Sequence, residues 1–159
     1  MIEPSRYADG PAMLMAGLRR EHAFATASET ISAQWEDFRR LGVIPGQRGA
    51  TTYGVMCASA PEREWFEYMC AVEVDSFDAL PPGMGRMRVP AQHYAVFAHD
   101  GHVDTLRAAW DALWSDWLPR SGRHPADTPD FERYGDRFDP ETRTGEIEIW
   151  FPLQPVERG

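Results

Sequence analysis

The chain contains no lysine: all 16 basic residues are arginine, set against 25 acidic ones for a formal net charge of −9. A lysine-free basic set reads as the codon usage of a GC-rich genome. The acidic balance denies the protein the basic face that non-specific DNA or anionic-membrane binding requires. No direct nucleic-acid contact and no membrane contact are therefore expected, whereas cationic ligands are compatible. No stretch approaches the ~18 consecutive apolar residues of a membrane span, and Met1 to Arg6 lacks the charged-then-apolar pattern of a secretion signal. A cytoplasmic location is the expectation. The only two cysteines, Cys57 and Cys70, have no metal-ligand spacing. They fall on two candidate strands that would make them neighbours if a turn at Pro61-Glu62-Arg63 pairs those strands, and they are expected to be reduced thiols. There is no nucleophile elbow, phosphate-binding glycine loop or zinc signature. His99 and His102 lie near Asp100 and Asp104 but lack a convincingly spaced third ligand. Asp100 or Gly101 capping a helix is the better reading there, and no metal or organic cofactor is expected.

With 159 residues, 43% hydrophobic and 26% charged, the chain reads as one domain, residues 1–159, with a full core. Its pattern runs through the same order twice. Met13 to Leu18 reads as a strand, Glu29 to Leu41 as a helix with Ile31, Trp35 and Phe38 on one face, and Thr51–Ala58 and Trp65–Val74 as strands. After Pro81-Pro82-Gly83 the order returns. Met84–Val89 and His93–Ala98 read as strands and Val103 to Leu118 as a helix carrying Leu106, Trp110, Leu113, Trp114 and Trp117. Strands around Phe131–Tyr134 and Glu146–Leu153 complete the second pass. A shift of 79 lays Ile31, Trp35 and Phe38 on Trp110, Trp114 and Trp117, and a shift of 81 lays Tyr53-Gly54 on Tyr134-Gly135 and Phe66 on Ile147. The expected fold is α+β. It consists of tandem strand–helix–strand–strand units, about 13–78 and 83–154, in one antiparallel sheet with both helices on one face and a ligand groove between the repeats.

The most suggestive chemistry lies near the C-terminus, where Glu132 stands among Phe131, Tyr134, Trp150 and Phe151. Aromatic faces attract cations by roughly 0.5–2 kcal/mol per contact. A buried carboxylate costs several kcal/mol unless something positive pairs with it. Strand alternation puts Glu132 and Tyr134 on one face of their strand, and likewise Glu146, Glu148 and Trp150 on one face of theirs, with Ile147, Ile149 and Phe151 turned to the helices. Glu132 and Trp150 are expected to point together, away from the helix-packed core, near at least one of Tyr53, Tyr134, Trp35 or Trp110.

An ordered set of motifs resembles the GyrI-like small-molecule-binding domain, the effector-binding domain of bacterial transcription activators. It comprises Tyr53-Gly54-Val55, Val89 through Gly101, Trp110 through Gly122, Pro129 through Tyr134, and Ile147 through Pro152. The likeness runs from about Met13 to Leu153. It implies that the acid at Glu132 contacts cationic aromatic ligands and that Trp150 helps line the pocket. Many members of that family carry an N-terminal helix-turn-helix. With about a dozen residues ahead of the first strand, this chain is expected to be a stand-alone ligand-binding domain.

The leading expectation is thus a binding domain for lipophilic, often cationic or aromatic, small molecules, with Glu132, Trp150, Tyr53, Tyr134, Trp110 and Trp35 as ligand-binding residues. Two alternatives follow from stand-alone relatives that the chain resembles. One is a hydrolase opening electrophilic cyclopropane-type toxins, with Glu132 as acid or base and Tyr134 orienting water or a leaving group. The other is a protein partner role, as an inhibitor of DNA gyrase.

Overall fold

The computed structural model describes residues 2–156. The class is α+β and every strand pairing is antiparallel. The chain divides into two compact units, one spanning Ala12–Pro90 and the other joining the N-terminal segment through Pro11 to the chain from Ala91 onward.

In the first of these, β2 (Met13–Ala23), β3 (Gln47–Ala60), β4 (Trp65–Val74) and β5 (Gly85–Val89) form the order β3-β4-β2-β5. Helix α1 (Ala27–Arg40) packs on one face of this sheet. The reason is periodicity: Ile31, Trp35 and Phe38 share a helix side, and they meet Tyr68, Cys70, Val72 and Val74, which alternate along β4. Arg39 and Arg40 in the last turn suit the negative end of the helix dipole. The helix stops where Gly42 takes a left-handed φ of 67°, open to glycine without steric cost.

The other unit has the strand order β1-β6-β8-β7, built from β1 (Arg6–Gly10), β6 (Gln92–His102), β7 (Asp130–Asp139) and β8 (Thr144–Leu153). Its helical segment enters through a 3-10 turn at Val103–Thr105. It continues as α2 (Leu106–Ala112), a π-helical turn at Leu113–Trp117 and α3 (Leu118–Ser121). Leu106, Leu113 and Trp117 are buried, and the Trp117 ring meets Phe97 edge-on at 5.0 Å. His102, not Asp100 or Gly101, caps this entry, its Nδ1 accepting from the Asp104 amide at 3.1 Å.

The duplication is legible in element bounds. β1 and β5 start at Arg6 and Gly85, β2 and β6 at Met13 and Gln92, and β4 and β8 at Trp65 and Thr144, a constant spacing of 79. Each pass is therefore strand–strand–helix–strand–strand, with a first strand at Arg6–Gly10 that the sequence reading missed. That strand is short and mostly polar, so apolar periodicity does not mark it. β5, the first strand of the second pass, pairs with β2, and β1, the first strand of the first pass, pairs with β6. The shift of 81 is also corrected. Ile147 is the counterpart of Tyr68 rather than Phe66. Tyr53 pairs with Ala71 and Tyr134 with Ile147, so the two tyrosines occupy different ladder positions. Cys70 lies opposite Gly54, not Cys57.

Candidate functional site

Glu132 sits in β7 with its neighbour Ile149 across the ladder in β8. Directly opposed strand residues share a sheet face, so Glu132 and Tyr134 lie with Ile147, Ile149 and Phe151 on the side where the helix packs. Glu132 is 6% exposed. Its carboxylate accepts from the Trp110 indole N–H of α2 at 2.8 Å and from the Tyr134 hydroxyl at 2.7 Å. Two donors on two oxygens provide much of the compensation that a buried carboxylate needs. Trp110 itself is half-buried, and one turn on, Trp114 lies against Phe151 with its residue 49% exposed. The π-helical turn begins after Trp110 and contains both Trp114 and Trp117, a deviation found in many proteins at functional positions.

A second acid was not singled out by sequence reasoning. Asp130 lies two residues before Glu132 and hence on the same face of β7. Part of the residue reaches solvent, but its carboxyl is packed among protein atoms. Burial pushes its pKa up to about 7, opposed by a hydrogen bond from its own backbone and reinforced by the charge of Glu132.

Trp150 stands opposite Phe131 in the ladder, one residue out of phase with Glu132. The expectation that Glu132 and Trp150 point together is therefore corrected: they occupy opposite faces of the same sheet. Trp150 stacks on Phe131 at 5.7 Å and meets Tyr94 edge-on at 5.3 Å. Its indole donates to Glu148 at 3.2 Å. The alternation that put Glu148 and Trp150 together holds; what failed was the register between β7 and β8, which no periodicity encodes. Glu132, Trp110 and Tyr134 are brought together. Tyr53 and Trp35 belong to the Ala12–Pro90 unit, Tyr53 buried on β3 and Trp35 donating its indole N–H to the Tyr68 hydroxyl at 3.2 Å.

A buried carboxylate held by aromatic donors gives this small α+β domain a polar site that a small ligand could meet. The match to the GyrI-like small molecule binding domain covers residues 6–154, and the chain belongs to that family. It is 33% identical over 152 residues to the transcriptional regulator BrlR of Pseudomonas aeruginosa, covering 94% of this chain and 55% of BrlR. The chain thus spans about half the length of that relative. Among solved structures, it is similar to SAV2435 bound to tetraphenylphosphonium, with a TM-score of 0.74, 18% identity, and coverage of 94% of this chain and 93% of that one. The EcmrR C-terminal domain matches with a TM-score of 0.66 at 18% identity, covering 95% and 97%. Both likenesses are of fold. No helix among the described residues is long and apolar enough to cross a membrane.

Proposed function

We propose that this small-molecule-binding domain takes lipophilic organic cations and that Glu132 supplies their counter-charge. The observation that carries the reading is the buried Glu132 carboxylate, which accepts hydrogen bonds from the aromatic side chains of Trp110 and Tyr134. An incoming cation would add its own Coulombic attraction to this carboxylate. The same rings offer faces that attract cations. Half-buried Trp110 and exposed Trp114 give the helix side an aromatic approach. The chain's charge of −9 favours cations over anions at long range. The neighbour solved with tetraphenylphosphonium supports the ligand class.

The test compares tetraphenylphosphonium with neutral triphenylphosphine oxide by calorimetry. Glu132→Gln is expected to weaken the cation at least tenfold, about 1.4 kcal/mol, and the neutral compound less than threefold. Equal losses for both would overturn the electrostatic role of Glu132.

One observation favours a second reading, hydrolysis of an electrophilic ring. Asp130, with its pKa near 7, and Glu132 share a strand face. A proton donor beside an ionised carboxylate suits general acid–base work. Mass spectrometry of a cyclopropane-bearing alkylator after incubation would show a gain of 18 mass units on turnover. Only unchanged compound would remove this reading.

A further inference from the structure

The face of the β1-β6-β8-β7 sheet that turns away from Glu132 carries its own polar-aromatic constellation. One row of ladder partners crosses it as Arg6, Val96, Trp150 and Phe131, and the flanking row on one side is Ala98, Glu148 and Arg133. Arg6 reaches diagonally from β1 to donate to Glu148 at 2.6 Å, and its guanidinium carbon lies 5.4 Å from the Trp150 ring centroid. Arg133 is the second cation on Glu148, at 3.6 Å. Burial works to raise the Glu148 carboxyl, but the bonds from Arg6 and Trp150 and the charges of Arg6 and Arg133 outweigh it, so its pKa lies below the ordinary glutamate range.

Two further facts separate this arrangement from an ordinary ion pair. The first is asymmetry of exposure: the Arg6 side chain is 48% exposed and that of Glu148 only 11%. Arg6 comes from a five-residue edge strand and can swing into water at little cost, whereas Glu148 cannot leave. When Arg6 departs, Glu148 keeps Trp150 and Arg133 but loses its closest partner. The second is Tyr94, which is wholly buried against Trp150, and whose hydroxyl has no hydrogen-bond partner among the described residues. An unsatisfied buried hydroxyl is costly, so a ligand or water bringing a polar atom there is favoured.

We propose that Glu148, Trp150, Phe131 and Tyr94 form a second binding site, for flat organic monocations of the amidinium, guanidinium or protonated amino-heterocycle class, and that Arg6 is its built-in occupant. The guanidinium already shows the required pose: planar charge over the indole face and hydrogen-bonded to the carboxylate. A ligand of that class replaces Arg6, so Arg6 sets the affinity as an internal competitor. The site lies on the opposite sheet face from Glu132 and does not depend on the function proposed above.

The experiment titrates benzamidine into the full chain labelled with 15N and follows the Trp150 indole N–H, assigned with Trp150→Phe. Arg6→Ala is expected to tighten benzamidine at least fivefold and Arg6→Lys, which keeps charge but not the planar stack, by less. Glu148→Gln is expected to weaken the binding read at the Trp150 indole at least tenfold. Arg6→Met keeps the aliphatic stem against Trp150 and stands in if the alanine variant does not fold. Binding seen only after Arg6 is removed supports the proposal. Unchanged or weaker binding in both Arg6→Ala and Arg6→Met, no binding in any form, or binding at the Trp150 indole that Glu148→Gln leaves undiminished would overturn it.

Discussion

The Trp110 indole N–H donates to the Glu132 carboxylate at 2.8 Å, tying α2 to β7 through a buried charge. Trp110→Phe keeps the aromatic bulk and removes this donor. A hydrogen bond to a charged group is worth about 1.5–3 kcal/mol, and a loss of that size is expected in urea unfolding. With Glu132→Gln the charge is gone, so the double variant should lose less than the two single losses added together. The coupling from that cycle should exceed ~0.5 kcal/mol. Strict additivity would show that the bond does not hold the helix to the strand.

Asp130 makes stability depend on pH in a stated direction. Its folded pKa of about 7 lies above the ordinary aspartate value of 3.8. Between these values the folded state holds a proton that the unfolded chain has released. Stability should therefore fall as pH rises from about 4 to about 7, by at most ~4 kcal/mol at about 1.4 kcal/mol per pK unit. Glu148 acts in the opposite sense, because its folded pKa is lowered: its contribution is present above the ordinary glutamate pKa and lost in acid. Asp130→Asn should remove the fall between pH 4 and 7 and leave the acid limb. Thermal midpoints across pH 3–8 for both proteins give the comparison, and an unchanged slope in the variant would refute the assignment.

Gly17 is required by close approach. A Cβ there would sit 1.8 Å from the carbonyl oxygen of Cys70 on the neighbouring strand β4. Both partners are backbone in a paired ladder, so neither can give way cheaply. Gly17→Ala should cost at least ~3 kcal/mol, the range of severe core disruption, or prevent folding. Wild-type-like unfolding of that variant would show the β2–β4 spacing to be looser than described.

The sequence carried the fold because its strongest signals are periodic. The α1 stripe of Ile31, Trp35 and Phe38 and the β8 alternation of Ile147, Ile149 and Phe151 emerged on the faces expected. Glu132 with Tyr134 followed from the same alternation. Trp150 did not join them, because parity within one strand says nothing of its phase against the next. The Arg6–Glu148 contact joins residues 142 positions apart, beyond any local pattern. Only packing reveals that the Tyr94 hydroxyl has no hydrogen-bond partner among the described residues. Asp130, by contrast, was within reach: it precedes Glu132 by one strand period.

His22 and Gln34 pin α1 to its sheet. The Gln34 amide nitrogen donates to the carbonyls of Leu18 at 2.8 Å and Tyr68 at 3.0 Å. With its nitrogen so engaged, Oε1 is the acceptor facing His22 Nε2 at 2.6 Å. Nε2 of His22 must therefore carry a hydrogen, and Nδ1 faces the Thr30 hydroxyl at 2.7 Å. Gln34→Leu preserves volume but leaves the buried imidazole N–H opposite a methyl group, and a loss of about 2–4 kcal/mol is expected from the orphaned groups. Replacing both partners, His22→Phe with Gln34→Leu, removes the unsatisfied donor and should recover at least a third of that loss, since Phe66 and Tyr68 already flank the ring. A long-range 15N–1H correlation should place the proton on Nε2, and urea unfolding of the single and double variants should give the recovery. A double variant weaker than either single one would mean that the network contributes through packing alone.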